Sequence, residues 1–197
     1  MAISATTVKQ LREATGIGLM KCKEALEATD GDLDKAIEHL RKQGLKTAEK
    51  KAGRDTSEGV IASYIHSNGK IGVLLELKCE TDFVARNDDF KTFVKDVAMQ
   101  IAATNPMYVK KEDVPAAAIA KETEIIKAQL AGKPAAAAEK IIEGKLNKFY
   151  EDACLMEQLF VKDQSFKIKD VLTSMIAKIG ENIVIRRFTR FQAGEEA

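Results

Sequence analysis

GVIASYIHSNGKIGVLLELKCE, residues 59–80, is the stretch of sequence that decides the fold. Two apolar segments flank Asn68-Gly69, a pair that favours a type I′ β-turn because both residues tolerate positive φ angles. The second segment has apolar side chains at every other position: Ile71, Val73, Leu75, Leu77 and Cys79. A period of two is typical of a strand with one buried face, so the stretch predicts an antiparallel hairpin.

A third strand is predicted near the other end of the chain, in ENIVIRRFTRF, residues 181–191. Alternation assigns one face to Ile183, Ile185, Arg187, Thr189 and Phe191, and the other face to Val184, Arg186, Phe188 and Arg190. With the hairpin, this strand makes a small, antiparallel three-stranded sheet. Covering both faces of such a sheet requires a helical layer or a second copy of the chain, so dimerisation is inferred. Arg186 and Arg187 are assigned no role.

Helices are predicted between the hairpin and the last strand. Residues 90–101 have apolar side chains at helical spacing, and Asn105-Pro106 ends this helix. Pro115 begins a second helix, and AGKPAA at 131–136 separates it from a third, which indicates a helical hairpin. One more helix is expected at about 171–179. The predicted fold class is therefore α+β, with helices packed on a small antiparallel sheet.

The first 44 residues predict three short helices. Thr7 and Gln10 have the spacing of a capping box, and the glycines of TGIGLM, residues 15–20, end the first helix. TDGD at 29–32 supplies turn and N-cap side chains for the third helix. Gly44 is expected to end that helix. Its apolar stripe consists of Leu33, Ala36, Ile37 and Leu40.

Three helices within about 40 residues lie at the lower limit of independent stability. This module resembles a ubiquitin-associated-type bundle, in which the loop between the first two helices often forms an exposed apolar contact patch. Two interpretations of Leu19 and Met20 remain open: they complete the thin core, or they contact a partner. Both can hold together, since a bundle this thin cannot hide every apolar residue. Residues 45–57 follow as a basic linker that is helical or partly ordered, for which solvation is favoured over nucleic-acid binding at this net charge.

The composition excludes several classes of protein. Lys and Arg number 31 and Asp and Glu 30, a net charge of +1 that argues against a dedicated nucleic-acid binder. No apolar run approaches the roughly 20 residues that span a membrane, and the first ten residues do not resemble a signal peptide. Cys22, Cys79 and Cys154 lack metal-ligand spacing and are expected to be reduced, buried thiols. A soluble cytoplasmic protein is therefore expected.

Catalytic motifs are absent from the sequence. The two histidines, His39 and His66, are far apart, and there is no HExxH, GxSxG or Walker GxxxxGKS/T motif. No nucleophile–base pair and no set of metal ligands can be named. We therefore expect a binding or regulatory protein without enzymatic activity, cofactor or metal.

CETDFVARND, residues 79–88, follows the hairpin directly and contains an aromatic residue whose burial is uncertain. A continued strand gives Phe83 the parity of the buried positions, and a helix capped by Asp82 places it seven residues before Phe90 on the core stripe. Either arrangement buries the side chain. If Asn87 instead caps a later helix, the residues before it form a connecting turn that exposes Phe83. Periodicity alone favours the buried alternative.

TDFVARN at 81–87 resembles the signature of the elongation factor Ts family, guanine-nucleotide exchange factors for the translational GTPase elongation factor Tu. Other segments resemble the family in the right order: LREATGIGLMKCKEAL at 11–26, KKAG at 50–53, GKPAAAAEKIIEGKLNKF at 132–149, QLFVKD at 158–163 and GENIVIRRFTRF at 180–191. The resemblance covers almost the whole chain. It implies a ubiquitin-associated-like module and basic linker at 1–54, and a core domain for dimerisation and exchange at 55–197.

The resemblance also implies a mechanism and a set of site residues. In the family, the phenylalanine of this segment enters the GTPase near its Mg²⁺ and phosphate site and promotes GDP release. That role is carried over to Thr81, Asp82, Phe83 and Val84. The resemblance places three further residues against a helix of the GTPase domain: Arg12, Leu19 and Met20. His66, beside the hairpin turn, either contacts the partner or is an ordinary exposed residue.

The expected partners are elongation factor Tu and a second copy of the chain. The sequence is similar to the short members of the family, which have one core repeat and in which two chains supply what the long form holds in one. Neither a membrane nor a nucleic acid is expected as a partner. Competing functions explain less of the chain: an adaptor module accounts only for residues 1–44, and RNA binding through 46–54 lacks an aromatic platform.

Overall fold

The computed structural model describes residues 3–130 and 135–195, and the side chains of 135–137 are left out of the description. The helices in these ranges are α1 (Ala5–Thr15), α2 (Leu19–Ala28), α3 (Leu33–Lys51), α4 (Asp82–Arg86), α5 (Asp88–Thr104), α6 (Ala116–Gln129), α7 (Ala135–Ala153) and α8 (Ile168–Ile179). The strands are β1 (Glu58–Ile65), β2 (Ile71–Cys79), β3 (Leu159–Phe160), β4 (Asp163–Lys167) and β5 (Ile183–Gln192). This mixture of helices and strands confirms the α+β fold class.

The principal sheet contains β1, β2 and β5 in that order, and it is antiparallel as predicted. The period of two in β2 is also confirmed, because Val73, Leu75, Leu77 and Cys79 are all buried. The hairpin turn differs from the prediction. Gly69 has a φ of 68°, whereas Asn68 does not take a positive φ, so a type I′ turn is excluded. Instead, the N–H of Gly69 donates to the carbonyl of His66 at 2.7 Å within a longer loop.

The alternation predicted for β5 is interrupted. Ile183 and Ile185 are buried as expected, but Phe191, which was assigned to the same face, is 71% exposed. The side chain of Arg190 is covered instead, and its Nε donates to the carbonyl of Ala102 at 3.3 Å. The alternation of buried and exposed positions is interrupted at Arg186 and Arg187, two consecutive residues that are both exposed. Strict alternation would bury one of these two charges, and an unpaired buried charge is costly.

The apolar stripe predicted for residues 90–101 is confirmed in α5. All of its members are buried: Phe90, Phe93, Val94, Val97 and Ile101. The helix ends before Asn105, which has a φ of 47°, and Pro106 follows. Pro115 is confirmed as the start of the next helix, since it is the residue immediately before α6. The break predicted at 131–136 lies in part outside the described residues.

β3 and β4 form a second, two-stranded antiparallel sheet that the sequence did not predict. The fully buried side chain of Gln100 holds its first strand and the turn after it. Its Oε1 accepts from the N–H of Val161 at 2.8 Å, and its Nε2 donates to the carbonyl of Leu159 at 3.1 Å. A glutamine amide thus satisfies backbone groups that a two-residue strand leaves unpaired.

The N-terminal module consists of α1, α2 and α3, which pack around one small apolar core. Its buried members are Val8, Leu11, Cys22, Ala25, Leu26, Ala36 and Leu40. Two helix boundaries differ from the prediction. The N-cap of α1 is Ser4, whose side chain accepts from the N–H of Thr7 at 3.1 Å, so Thr7 lies inside the helix.

Gly44 does not end the third helix, because α3 continues to Lys51. A Cβ at Gly44 would lie 3.3 Å from the Cβ of Ala177, which is closer than most side-chain contacts. The glycine therefore permits close packing of α3 against α8 and does not serve as a terminator. The residues that follow, LKTAEKK at 45–51, are mostly good helix formers, so the helix continues into the segment predicted as a linker.

The chain divides into two compact units. The first comprises Met1–Val60, Leu77–Phe93 and Asp170–Val184, and the second comprises Ile61–Glu76, Val94–Lys169 and Ile185–Ala197. Within the second unit α6 and α7 pack against each other, in agreement with the predicted helical hairpin. The predicted domain boundary near residue 54 stays a prediction.

Candidate partner-binding site

The TDFV segment, residues 81–84, belongs to a short helix that is separated from the next one. Thr81 has an extended backbone, and its Oγ1 accepts a hydrogen bond from the N–H of Val84 at 3.4 Å, which makes it the N-cap of α4. The backbone is extended again at Asn87. The Oδ1 of Asn87 accepts from two N–H groups at the start of α5, at 2.8 and 3.3 Å. Two caps therefore make α4 a separate five-residue helix.

Phe83 is the most exposed of the large apolar side chains in the described residues, at 80%. None of the residues of α4 is buried. Burying a phenylalanine side chain stabilises a protein by about 1.5–3 kcal/mol, so this fold forgoes that stabilisation at Phe83. The buried arrangement favoured by periodicity is therefore wrong, and the exposed alternative holds. Asp82 and Val84 are half-buried beside it, and Asp82 pairs with Arg86 at 3.0 Å.

A carboxylate from the C-terminal part of the chain holds the beginning of this segment. The Oε2 of Glu181 accepts from the N–H of Thr81 at 3.0 Å, and its Oε1 accepts from the Oγ1 of Thr81 at 2.7 Å. The carbonyl of Thr81 also accepts from the Sγ of Cys79 at 3.2 Å. Because Thr81 is fixed at its N–H, hydroxyl and carbonyl, the start of α4 has a defined orientation.

The thiol of Cys79 is the nearest group with nucleophilic potential. Burial, together with the negative charges of Glu181 and Glu58, raises the pKa of Cys79 to about 11. Only about 0.1% of such a thiol is ionised at pH 8, and the thiolate is the reactive form. Cys79 is therefore an inert part of the core next to the TDFV segment.

The N-terminal module presents its three predicted contact residues on the surface. Arg12 is exposed in the last turn of α1, which ends at Gly16 in the left-handed conformation with a φ of 66°. Leu19 and Met20, at the start of α2, are 52% and 66% exposed. Of the two interpretations of Leu19 and Met20, completion of the core is therefore wrong. The same compact unit contains this surface and the TDFV segment.

His66 belongs to the second unit and is exposed. Its Nδ1 lies 3.2 Å from the phenol oxygen of Tyr64, and the two rings are tilted with centroids 6.2 Å apart. Tyr64, near the end of β1, is thus a neighbour of His66, and the contact of His66 with a partner stays a prediction.

The described residues contain no group of three or more His, Cys, Asp or Glu side chains arranged to hold a metal ion. In the same part of the chain, no helix combines the length and apolar character needed to cross a membrane. All three cysteines are free and buried, as the sequence predicted. The notable feature of the first unit is thus a pair of exposed apolar surfaces, one at Phe83 and one at Leu19 and Met20.

Comparison with known proteins assigns the chain to a family. The family model for "Elongation factor TS" matches residues 4–175. The chain is 58% identical over 196 residues to elongation factor Ts of Thermodesulfovibrio yellowstonii, covering 99% of this chain and 98% of the relative. It is 61% identical over 197 residues to the protein of the same name from Fervidobacterium nodosum, with 99% and 100% covered. For Thermotoga maritima the identity is 56% over 195 residues, with 99% and 98% covered.

These full-length similarities define the class of protein as a translation elongation factor. The chain belongs to the elongation factor Ts family.

Sequence reasoning missed the residues that hold the TDFV segment. Glu181 lies 100 positions away from Thr81, and a lone glutamate before a strand has no local pattern that indicates its partner. One signal was available: Glu181 belongs to GENIVIRRFTRF, a segment that resembles the family, although Glu181 itself lies before the strand.

Proposed function

We propose that the protein is a guanine-nucleotide exchange factor that binds elongation factor Tu in its GDP form and promotes GDP release, so that GTP can bind. Membership of the elongation factor Ts family supports this partnership. The observation that carries the proposal is Phe83, an aromatic side chain that is 80% exposed on a helix with a cap at its start and another directly after its end. No covalent chemistry and no cofactor belong to the proposal.

The proposed mechanism is mechanical disturbance of the nucleotide site. A GTPase holds its nucleotide with a phosphate-cradling loop and with Mg²⁺, which bridges phosphate oxygens. Insertion of Phe83 moves the elements that carry these groups, and the Mg²⁺ coordination fails. Thr81, Asp82 and Val84 support the insertion. Thr81 caps the helix, Asp82 forms an ion pair with Arg86 one turn later in the same helix, and Val84 contacts the partner beside Phe83.

The energies require a second contact area. Burying Phe83 against the partner provides about 1.5–3 kcal/mol. Accelerating nucleotide release by about 10⁴ requires roughly 5.5 kcal/mol. The remainder is assigned to Arg12, Leu19 and Met20, whose exposed apolar surface supplies a comparable burial. Thermodynamic linkage then requires that nucleotide weakens binding of the exchange factor as much as the factor weakens binding of nucleotide. Entry of GTP therefore displaces the factor.

We also propose a homodimer formed through the open face of the sheet in the second unit. The exposed apolar side chains there are Ile61, Ile65, Leu74 and Phe191. A Cβ at Gly72 would lie 3.2 Å from the Cδ1 of Ile65, which places Ile65 on the same face as Gly72 and Leu74. A second copy suits this face, because a two-fold axis brings identical apolar surfaces together and leaves polar side chains at the edge.

The same sheet has a polar pair between Arg187 Nε and Glu76 Oε2, at 2.6 Å. Since Ile65 is already 66% exposed, Ile65→Asp is expected to leave the folded monomer stable and to break the dimer. Sedimentation velocity of both proteins at tens of micromolar tests the proposal. A monomeric wild-type chain at that concentration would contradict it.

We propose that the N-terminal module is ubiquitin-associated-like and that the protein acts in the cytoplasm during protein synthesis. Direct contact with nucleic acid is not part of the function. His66 contributes at most a peripheral contact with the partner, because it is already paired with Tyr64.

Release of a fluorescent GDP analogue from purified elongation factor Tu tests the exchange function. The wild-type chain is expected to accelerate release strongly, and Phe83→Ala to reduce the maximal acceleration by about 10- to 100-fold, the equivalent of one buried phenylalanine. Met107→Ala is the matched control, since Met107 is a 62% exposed apolar residue of the second unit with no proposed role.

Each outcome has a distinct meaning. If the wild-type chain does not accelerate release at saturating concentration, the exchange function is wrong. If Phe83→Ala and Met107→Ala both match the wild type, exchange stands but Phe83 does not drive it, and the surface of the N-terminal module must dominate. Leu19→Ala combined with Met20→Ala then identifies that surface by a rise in the half-saturating concentration.

A further inference from the structure

The turn of residues 180–182, between α8 and β5, makes reciprocal contacts with the residues that begin the TDFV segment. The carboxylate of Glu181 accepts from both the N–H and the Oγ1 of Thr81, at 3.0 and 2.7 Å. In return, the Oε1 of Glu80 accepts from the N–H of Asn182 at 2.6 Å. Two neighbouring residues of one segment are thus held by two neighbouring residues of the other.

The same turn holds the end of the N-terminal module. The side-chain amide of Asn182 donates to the carbonyl of Arg54 at 2.9 Å and to that of Ala52 at 3.5 Å. Asn182 is almost fully buried, with 3% of its surface exposed, so these bonds replace solvation of its amide. The Nζ of Lys51, the last residue of α3, donates to the carbonyl of Gly180.

A charge pair completes the connection between the three segments. Arg54 lies 3.4 Å from Glu80, the same carboxylate that accepts from Asn182. The hydrogen bond from Asn182 holds the pKa of Glu80 below its ordinary value, and the positive charges of Arg54 and Lys51 add to this effect although partial burial opposes it. Glu80 therefore stays ionised at neutral pH and holds both partners.

The bond between Glu181 and Thr81 also decides how Thr81 caps its helix. A hydroxyl group has one proton and two lone pairs. Because the carboxylate of Glu181 can only accept, the Thr81 proton points to Glu181, and a lone pair is left for the N–H of Val84 at 3.4 Å. The charge of Glu181 thus fixes the direction in which α4, and with it Phe83, leaves the fold.

We propose that Glu181 and Asn182 are positioning residues for exchange, which hold the Phe83-bearing helix and the end of the N-terminal module in one fixed arrangement. This inference rests on the proposed exchange function. Two contact surfaces add their binding energies to a common effect only when their spacing matches the partner and little freedom is lost on binding. The turn of residues 180–182 supplies that fixed spacing for Phe83 and for the surface at Leu19 and Met20.

The two residues are expected to affect different kinetic quantities. Glu181→Gln keeps the shape but removes the charge, and it leaves one oxygen instead of two to accept from the N–H and the hydroxyl of Thr81. Its maximal rate of GDP release is expected to fall about tenfold, because a hydrogen bond to a charged group is lost at the start of the TDFV segment. Asn182→Asp replaces the amide donor with a carboxylate that faces two carbonyl oxygens. It is expected to raise the half-saturating concentration about tenfold, because the end of the N-terminal module is no longer held by these hydrogen bonds.

A double-mutant cycle shows whether Glu181 acts through Thr81. In a Thr81→Val background, Glu181→Gln is expected to cause little further loss of the maximal rate, because the hydroxyl that it orients is gone. Glu38→Gln is the matched control: Glu38 lies in α3 and pairs with Lys42 on the same helix, at 2.7 Å. It is expected to leave both kinetic quantities unchanged.

Amide hydrogen exchange provides a measurement that does not depend on nucleotide release. In Glu181→Gln, the amides of residues 81–87 are expected to exchange faster while those of α5 stay protected. Equal protection of residues 81–87 in both proteins overturns the inference, and so does an unchanged maximal rate when the wild type is active and Phe83→Ala is impaired. Loss of the proposed function itself has a separate signature, an inactive wild type.

Discussion

Phe83 and Phe90 are the same residue type, seven positions apart, and they have opposite environments. Phe83 is 80% exposed and Phe90 is fully buried. Seven residues correspond to two helical turns, so a continuous helix would place both side chains on one face. The chain prevents this by ending α4 before Asn87 and starting α5 after it.

The difference shows that a cap can separate a functional side chain from a structural one. Hydrophobic periodicity gives Phe83 and Phe90 equal weight, because it takes no account of where a helix begins. The caps decide which phenylalanine is buried: the side chain of Thr81 accepts from one N–H group of α4, and that of Asn87 accepts from two N–H groups of α5. One phenylalanine then stabilises the fold, and the other is free to stabilise a complex.

The largest effect on stability is expected from Phe90→Ala. Phe90 has no exposed surface, so its truncation removes the transfer free energy of the side chain and leaves a cavity. We expect the free energy of unfolding to fall by about 3–5 kcal/mol. Urea denaturation followed by circular dichroism measures this fall. Phe90→Leu, which retains most of the volume, is the control and is expected to lose less than half as much.

A smaller effect is expected from Asn87→Ala, which removes the cap between the two helices. The Oδ1 of Asn87 satisfies two N–H groups of α5, and loss of such a cap typically costs about 1 kcal/mol. Urea denaturation of Asn87→Ala and of Asn87→Ser measures the contribution. Serine also caps helices, so equal losses in the two variants would contradict a capping role.

Much of the fold follows from the sequence because it depends on local patterns. The period of two in β2 and the helical stripe of α5 are repeated over enough residues to be unambiguous. β3 and β4 were missed, since a two-residue strand has no measurable period and relies on the distant side chain of Gln100. The end of α3 was misplaced because Gly44 serves a tertiary contact with Ala177 rather than a turn.

The candidate site was predictable only in part, for the same physical reason. Residues 81–84 stand out as a motif, and the exposure of Leu19 and Met20 was one of two open interpretations. Glu181 and Asn182 could not be found, because their partners lie about 100 residues away along the chain. Long-range hydrogen bonds leave no periodic trace in a single sequence.

The contribution of Glu80 to stability is expected to depend on pH. The hydrogen bond from Asn182 and the charge of Arg54 hold its pKa below the ordinary value of 4.5. A lowered pKa means that the folded state favours the ionised form, so the contribution is complete above about pH 4.5 and is lost as pH falls below it. The stability difference between wild type and Glu80→Gln is therefore expected to be constant near pH 7 and to shrink below pH 4.5.

Urea titrations at several pH values measure this difference. The control is Glu38→Gln, whose carboxylate has a pKa lowered by Lys42 on the same exposed helix surface and holds no distant segment. A difference between wild type and Glu80→Gln that persists unchanged at low pH would show that folding does not lower the pKa of Glu80.

The smallest effect on stability is expected from Phe83→Ala, and this variant tests the comparison most directly. Because the side chain is 80% exposed and no residue of α4 is buried, truncation is expected to remove little contact within the chain. The free energy of unfolding is expected to change by less than about 0.5 kcal/mol, as for other surface substitutions. GDP release from elongation factor Tu is nevertheless expected to lose a large part of its acceleration. If Phe83→Ala instead unfolds as readily as Phe90→Ala, then Phe83 packs inside the protein in solution, and the division between a structural and a functional phenylalanine fails.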